Sequence, residues 1–582
     1  MHALPDLKRT ANASAFGLLP NRWDAAALVL IVGMVAMMAI GFEQTTAPMA
    51  TLSEHPVSLD PAMLPEYALR TTLRMLAAMV ASLLFTFTYA TLAARNRRAE
   101  KLLIPALDIL QSVPVLGFIS FTVTFFLALM PSRVMGAELA AVFAIFTSQA
   151  WNMAFSFYQS LRSLPRDLLE VSSSFRLSGW QRFWKLDVPY AMPGLVWNMM
   201  MSMSGAWFFV VASEAITVGD RTITLPGVGS YLALAIAQKD LHAIGWVILT
   251  MVVVILAYDQ LLFRPLVAWA DKFRMENTAS ANAPQSWLLD LIRRTRLVHR
   301  LLLPLGAALA ALARLRLSPA SSAPAAPDEP TATRTRWVDL CWNAGIMALA
   351  LYLLWRVTSY VSAGVSWRDV GEVLVLGGIT LLRVTVLIAL SSLLWVPLGI
   401  LIGLRPKWAQ AVQPLAQFLA AFPANLLFPV FVIGIAHWHL NPDVWLSPLI
   451  VLGTQWYILF NVIAGASAYP NDYREVAANF GIRGWQWWRR CMLPAVFPYY
   501  VTGAITASGG AWNASIVSEV VQWGDTQIVA HGLGAYIAQN TAAGDFPRII
   551  LGVSVMALFV TLFNRLVWRH LYAYADTHLR MN

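Results

Sequence analysis

Apolar runs of about twenty residues, separated by short charged stretches, dominate the chain and predict membrane-spanning helices rather than a soluble core. One set of runs lies near 24–42, 71–93, 103–130, 137–160, 193–218 and 243–263. A second set lies near 338–356, 373–404, 412–436, 445–468, 497–521 and 548–568. About twelve such spans make an all-α polytopic membrane protein. The stretch 43–66 carries Glu43, Glu54, Asp60 and Glu66 with no Lys or Arg, and is expected to face outward. The next polar stretch holds Arg95, Arg97, Arg98 and Lys101, which places it in the cytoplasm. Alternation then leaves both termini cytoplasmic. The first apolar run follows Lys8, Arg9 and Arg22 without a small-x-small site directly behind it, so it reads as a retained span rather than a cleaved leader.

The pattern is duplicated. Residues 170–189 read EVSSSFRLSGWQRFWKLDVP and residues 475–494 read EVAANFGIRGWQWWRRCMLP. Glu170 aligns with Glu475, Gly179-Trp180-Gln181 with Gly484-Trp485-Gln486, and Pro189 with Pro494, each pair 305 positions apart. The same register joins Gly205-Ala206-Trp207 to Gly510-Ala511-Trp512, Ser213-Glu214 to Ser518-Glu519, and Gly227, Gly229 and Tyr231 to Gly532, Gly534 and Tyr536. Nearer the start of each half, Arg74 matches Arg383, Pro105 matches Pro414 and Pro114 matches Pro423 at a spacing of 309. The change in spacing implies extra residues in the first half near Pro131–Ala137. An even number of spans per half makes the halves parallel repeats about an axis along the membrane normal. The expected organisation is a first membrane domain over 1–275, a cytoplasmic linker over 276–337 and a second membrane domain over 338–582. Within the linker, 287–316 mixes Arg293, Arg294, Arg296 and Arg300 with a Leu/Ala run too short to span, suiting a helix along the inner membrane surface. Residues 318–335 form a Pro/Ala/Ser tether.

Composition narrows the function. Hydrophobic residues make up 58% of the chain and charged residues 12%, about half the charged share of a soluble domain. The net charge of +10 belongs to short inner loops, so it marks orientation rather than nucleic-acid binding. Two cysteines, Cys341 and Cys491, support no disulfide framework. His437 and His439 flank Trp438, but two histidines are not a metal ligand set. No clustered nucleophile and base mark a catalytic site, and no GxxxxGK[ST] loop could cradle a phosphate, so no cofactor and no metal are expected.

The duplicated basic segment is the strongest candidate for function. Pro165 and Pro470 close a span, a short helix carrying Glu170 or Glu475 follows, and a carboxylate near its start would complement the helix dipole. Gly179 and Gly484 suit a turn, and Trp180-Gln181 or Trp485-Gln486 open a second short helix. The plain alternative is an elbow that only orients the next span. Glu475, Ala477, Gly481 and Leu493-Pro494 resemble the EAA loop of ABC importer permeases, and the likeness extends over nearly the whole chain as two permease domains in tandem. The first copy departs from that pattern, with Arg176 at the place of Gly481 and Ser172-Ser173 at the place of Ala477-Ala478. The resemblance implies a type I importer permease fold in a bacterial inner membrane. It implies two separate ABC ATPase subunits that bind the ATP and dock at both loops, through Glu170, Arg176, Gly179, Trp180, Glu475, Ala477, Gly481, Gly484 and Trp485. It also implies an extracytoplasmic binding protein that delivers cargo.

Ser213-Glu214 and Ser518-Glu519 end the fifth span of each half, where a carboxylate is costly and faces a pore, a partner or water. They stand before Gly-x-Gly segments that resemble the nitrate, sulfonate and taurine group of importer permeases. Trp207, Ser213, Glu214, Trp512, Ser518, Glu519, Gln149 and Gln455 are the candidate lining of a translocation path. For the glutamates a local ion pair, and for Gln149, Asn152, Gln455 and Asn461 an interhelical hydrogen bond, are the competing readings. The resemblance favours a small anion such as nitrate, a sulfonate, bicarbonate or an organic acid. A fused ferric-iron importer permease and an ion-coupled carrier of twelve spans are the alternatives.

Overall fold

The computed structural model describes residues 56–131, 133–218, 221–273, 286–295, 297–317 and 332–579, with isolated positions before residue 56. It is helical almost throughout. Among the described residues the strands form two small hairpins, Ala215–Val218 with Arg221–Thr224 and Val520–Trp523 with Thr526–Val529.

Among the described residues, seven helices are long and apolar enough to cross a membrane, and up to nine spans result if each of two bent pairs counts as one. The differences from the expected twelve have separate causes. The run near 24–42 lies outside the described residues except for isolated positions. The run near 103–130 is two helices, Arg97–Ser112 and Ile119–Leu129, joined by a 3-10 turn at Val115–Phe118. Pro114 lacks an N–H and pushes Val113 out of the helical region, which ends the first helix there. Pro423 breaks the matching pair in the second half, where Pro406–Ala421 and Ala424–His437 meet at 79°. The run near 497–521 is one helix, Leu493–Ser518, whose Gly, Ser, Thr and Asn residues keep it out of the apolar count.

Each half is built on the same three packed helices. In the first, Leu64–Arg95 packs on Val134–Arg162, which packs on Val188–Glu214; in the second, Trp367–Gly403 packs on Gln455–Ser467, which packs on Leu493–Ser518. Small residues let these helices approach where lipid supplies no hydrophobic drive. A Cβ on Gly403 would stand 2.6 Å from that of Ala466, and one on Gly503 would stand 2.7 Å from the Tyr457 carbonyl oxygen. The spacing changes from 309 to 305 between Leu129 and Glu138, as expected, since the helix Ile119–Leu129 matches Phe428–His437 while Glu138 matches Asp443.

The halves exchange elements. Val115, Leu116, Ile119 and Val123 of the first half belong to the apolar core of the second, and Ala421 and Leu426 of the second belong to the core of the first. The proline break of each half therefore seats on the other half's fifth-span helix. Asn513 Oδ1 accepts a hydrogen bond from Val115 N at 2.8 Å, and Asn425 Nδ2 donates to Phe208 O at 3.4 Å. The hairpins complete the seam at the far end of these helices: Gly524 N donates to Ile236 O at 3.0 Å, and Lys239 stands 3.7 Å from Asp525. The two halves thus meet at the hairpin ends of their fifth-span helices. Each helix is about 40 Å long at 1.5 Å per residue and carries its duplicated segment at the other end.

Candidate functional site

Each duplicated segment folds as an elbow. The first runs Arg166–Ser174, a turn, Gly179–Arg182 and a π-turn at Phe183–Asp187 that flows into Val188–Glu214. The second runs Asn471–Asn479, a turn, Gly484–Trp487 and a π-turn at Trp488–Met492 that flows into Leu493–Ser518. The π-turns come just before Pro189 and Pro494, where an added residue relieves the clash and the lost hydrogen bond of a proline inside a continuing helix. Both first helices end in the same double hydrogen bond, Leu177 N to Ser172 O and Arg176 N to Ser173 O, matched by Ile482 N to Ala477 O and Gly481 N to Ala478 O. That closure needs a left-handed residue. Gly481 supplies it at φ +62°, and Arg176 adopts it at φ +48°. Gly484 is also left-handed, at φ +58°, whereas Gly179 is not, because Ser178 and Gln181 form a capping box there.

Glu170 and Glu475 fall in the middle of their helices, so the first-turn role belongs instead to Asp167 and Asp472. Both glutamates are exposed. Ser172 and Ala477 face inward and are buried, while Val171 with Phe175 and Val476 with Phe480 point out. Phe175 is 74% exposed and Phe480 79%, so the two elbows present equivalent apolar tips. Trp180 is partly covered, and Trp485 is exposed.

At the other end of the fifth-span helices the glutamates are caged. Arg74 Nη1 lies 2.6 Å from Glu214 Oε1, and its Nε and Nη2 lie 2.6 and 2.7 Å from the two oxygens of Glu138. Thr71 Oγ1 donates to Glu214 at 2.7 Å, and the N–H of Gly229, at the start of the helix Val228–Ala237, donates to the other carboxylate oxygen at 2.6 Å. The second half repeats this with Arg383 to Glu519 at 2.9 Å, Thr380 to Glu519 at 3.0 Å and Ala535 N to Glu519 at 3.0 Å. The carboxylate thus closes the open N–H groups of a helix start. The Gly-x-Gly segments follow from that cage: a Cβ on Gly227 or Gly532 would fall within 2.4 Å of the carboxylate carbon, and one on Gly229 within 2.2 Å of Val211 O.

Of the candidate path residues, Trp207, Ser213, Glu214, Trp512, Ser518, Glu519 and Gln149 are all buried. Trp207 meets Tyr258 edge-on at 5.5 Å between ring centres. Gln149 donates to Met203 Sδ, and Gln455 accepts from Trp395 Nε1 at 2.9 Å, both between helices. Asn152 bonds Ser202 across the same interface as Gln149, while Asn461 bonds Tyr457 O in its own helix. No group of His, Cys, Asp and Glu among the described residues could hold a metal ion.

Sequence reasoning missed the seam between halves. Trp197 of the first half stacks on Phe460 of the second at 5.4 Å, and Gly205 faces Tyr457 of the second. On the matching face of Leu493–Ser518, Tyr499, Thr502, Thr506 and Gly509 recur at helical spacing and are exposed. A polar stripe in an otherwise apolar span was the available signal. Glu138 and Asp443 were also missed, although they share the 305 register and so could have been paired with the repeated arginines.

A model of the family described as binding-protein-dependent transport system inner membrane component matches residues 87–263 and 395–579, together more than half the chain. A nitrate import permease protein of Leptolyngbya laminosa is 28% identical over 188 residues, covering 32% of this chain and 64% of that protein. A bicarbonate transport system permease protein of Synechococcus elongatus is 28% identical over 204 residues, covering 35% of this chain and 67% of its own length. A glycine betaine/proline betaine transport system permease protein of Escherichia coli is 28% identical over 160 residues, 27% of this chain and 42% of that protein. The matched stretch therefore spans about two thirds of the first two relatives and less of the third.

Proposed function

The chain belongs to the family of binding-protein-dependent transport system inner membrane components, and on that premise we propose that it supplies two fused permease domains of an ATP-driven importer for a small anion. The family places it in the inner membrane as a multi-pass transport component rather than an enzyme. Both termini would be cytoplasmic. Two separate ATPase subunits would each receive one elbow, and an extracytoplasmic binding protein would deliver cargo to the hairpin face.

One observation carries the reading: the exposed tips Val171/Phe175 and Val476/Phe480 stand at one end of two long helices, and the halves touch each other near the hairpins at the other end. A side chain as large as Phe, left in water at nearly the same exposure in two copies, fits a pair of sockets, each worth about 1.5–3 kcal/mol on burial. When the ATPases close, the elbows are drawn together and the two fifth-span helices rock about the seam as rigid bodies. The long helix from elbow to hairpin transmits the motion. Cargo would then pass between Trp197 on one wall and Thr502 and Thr506 on the other. The anion follows from the nitrate and bicarbonate permeases among the relatives. It accords with Glu214 and Glu519 being ion-paired and turned into the protein, where they offer no free charge to a passing anion.

The test is the reconstituted importer with Phe175→Ala and Phe480→Ala combined, and separately with Glu170→Lys and Glu475→Lys combined. Hydrolysis stimulated by loaded binding protein is expected to collapse in the double variants while the permease still folds. Undiminished stimulated hydrolysis in both would count against the assignment.

A further inference from the structure

We propose that the linker helix Leu297–Arg314 is a brace for the first elbow, making the two elbows mechanically unequal before any partner docks. The last carbonyls of a helix have no partner within it. Here two of them accept from the elbow: Trp180 Nε1 donates at 2.8 Å to Leu312 O, which also accepts from Leu315 N at 3.2 Å, and Gln181 Nε2 donates to Arg314 O at 2.7 Å. Gln181 is fixed from both ends, because its Oε1 also accepts from Ser178 N at 3.1 Å. Both bonds go to main-chain atoms, so a Leu/Ala-rich helix with few distinguishing side chains can still be held in one place. The linker is anchored at its other end too. Trp287–Arg294 packs on Arg264–Ala270 at the base of the sixth span, with Leu291 buried. The brace therefore joins the sixth span to the elbow that leads into the fifth.

A second tie acts on the same elbow. Asp187, buried at its exit, pairs with Arg95 at 2.6 Å and with Arg182 at 3.2 Å. Among the described residues the second elbow has neither tie. Its Gly484-Trp485-Gln486 repeats the donors, but Trp485 is 72% exposed and Gln486 is exposed. Met492 replaces Asp187, and Arg483 replaces the capping Ser178 without a side-chain cap. The brace holds the leg of the elbow and leaves the tip open, since Phe175 is as exposed as Phe480. The first elbow is thus a preset lever, and the second takes its final position on docking. That last consequence rests on the function proposed above; the brace does not.

The experiment uses the full chain in lipid nanodiscs, without ATPase or cargo, so its outcome is independent of the importer assignment. Amide hydrogen exchange is expected to be slower over Gly179–Arg182 than over Gly484–Trp487. With Cys341→Ser and Cys491→Ser as background, Gln181→Cys should react with a water-soluble maleimide about fivefold more slowly than Gln486→Cys, roughly what the one remaining brace bond, from Trp180 to Leu312 O, gives. Replacing residues 297–317 with a Gly/Ser run of equal length should make the two rates equal. Equal exchange and labelling in the intact chain, or labelling at position 181 untouched by the replacement, would overturn the brace. Should the replaced chain fail to insert, the same labelling comparison with only residues 311–317 replaced decides, because the Ser178–Gln181 capping box alone would already slow exchange at the first elbow.

Discussion

Thr71, Arg74 and Glu214 meet in the first half as Thr380, Arg383 and Glu519 meet in the second, with the same atoms in the same roles. The elbows at the other ends of the same helices share a path and a tip but not their supports. Inside the membrane domain, a buried carboxylate without its arginine, its hydroxyl and its helix start would be left uncompensated, so neither copy has room to drift. At the elbow, water satisfies whatever the chain does not, and each copy can answer to different neighbours. The cages define the common scaffold, and the elbows are where the halves become distinct.

The sharpest way to break the likeness is at the cage arginines. Arg74→Met strands Glu138 and Glu214 and should cost about 3–5 kcal/mol. Arg383→Met should cost less, because Asp443 is more exposed than Glu138 and keeps His531 at 3.0 Å. Thermal unfolding in lipid should rank them in that order, and the opposite ranking would undo the distinction between the two cages. Next come Gly227→Ala and Gly532→Ala, each forcing a methyl into a carboxylate. Losses of about 1–3 kcal/mol are expected, and a markedly different loss in the two halves would deny that the glycine–carboxylate contact is the same in both. The elbow turn should respond less. Arg176→Gly releases a left-handed arginine and should stabilise the first elbow by about 1–2 kcal/mol, read as slower amide exchange over Arg166–Leu177. The smallest effect belongs to His531→Ala, whose solvent-exposed pair with Asp443 should matter by less than about 1 kcal/mol. A larger loss there would make the second cage depend on its rim.

Much of this was legible in the chain. The 305 and 309 registers located both elbows, both cage arginines and the place where the spacing changes, because a repeat preserves spacing wherever the packing is preserved. The turn was legible only in part: Gly179 and Gly484 were expected to make it, but Gly179 is not left-handed, and the residues that close the first helices are Arg176 and Gly481. What the glutamates and Gly-x-Gly segments do was not legible. Glu214 and Gly227 are near in sequence, but only folding shows that the glycine is there to admit the carboxylate. Trp180 and Gln181 looked like the counterparts of Trp485 and Gln486, and nothing local reveals that only one pair is occupied, by a helix more than a hundred residues downstream.

The sequence alone determined that this is a duplicated membrane protein with paired basic elbows, because hydropathy, charge and repetition are properties of the chain read in order. The tertiary structure decided which buried groups are partners, how each half's proline break seats in the other, and that the linker supports one elbow only. Those depend on distances between segments far apart in the chain, which the order of residues does not contain.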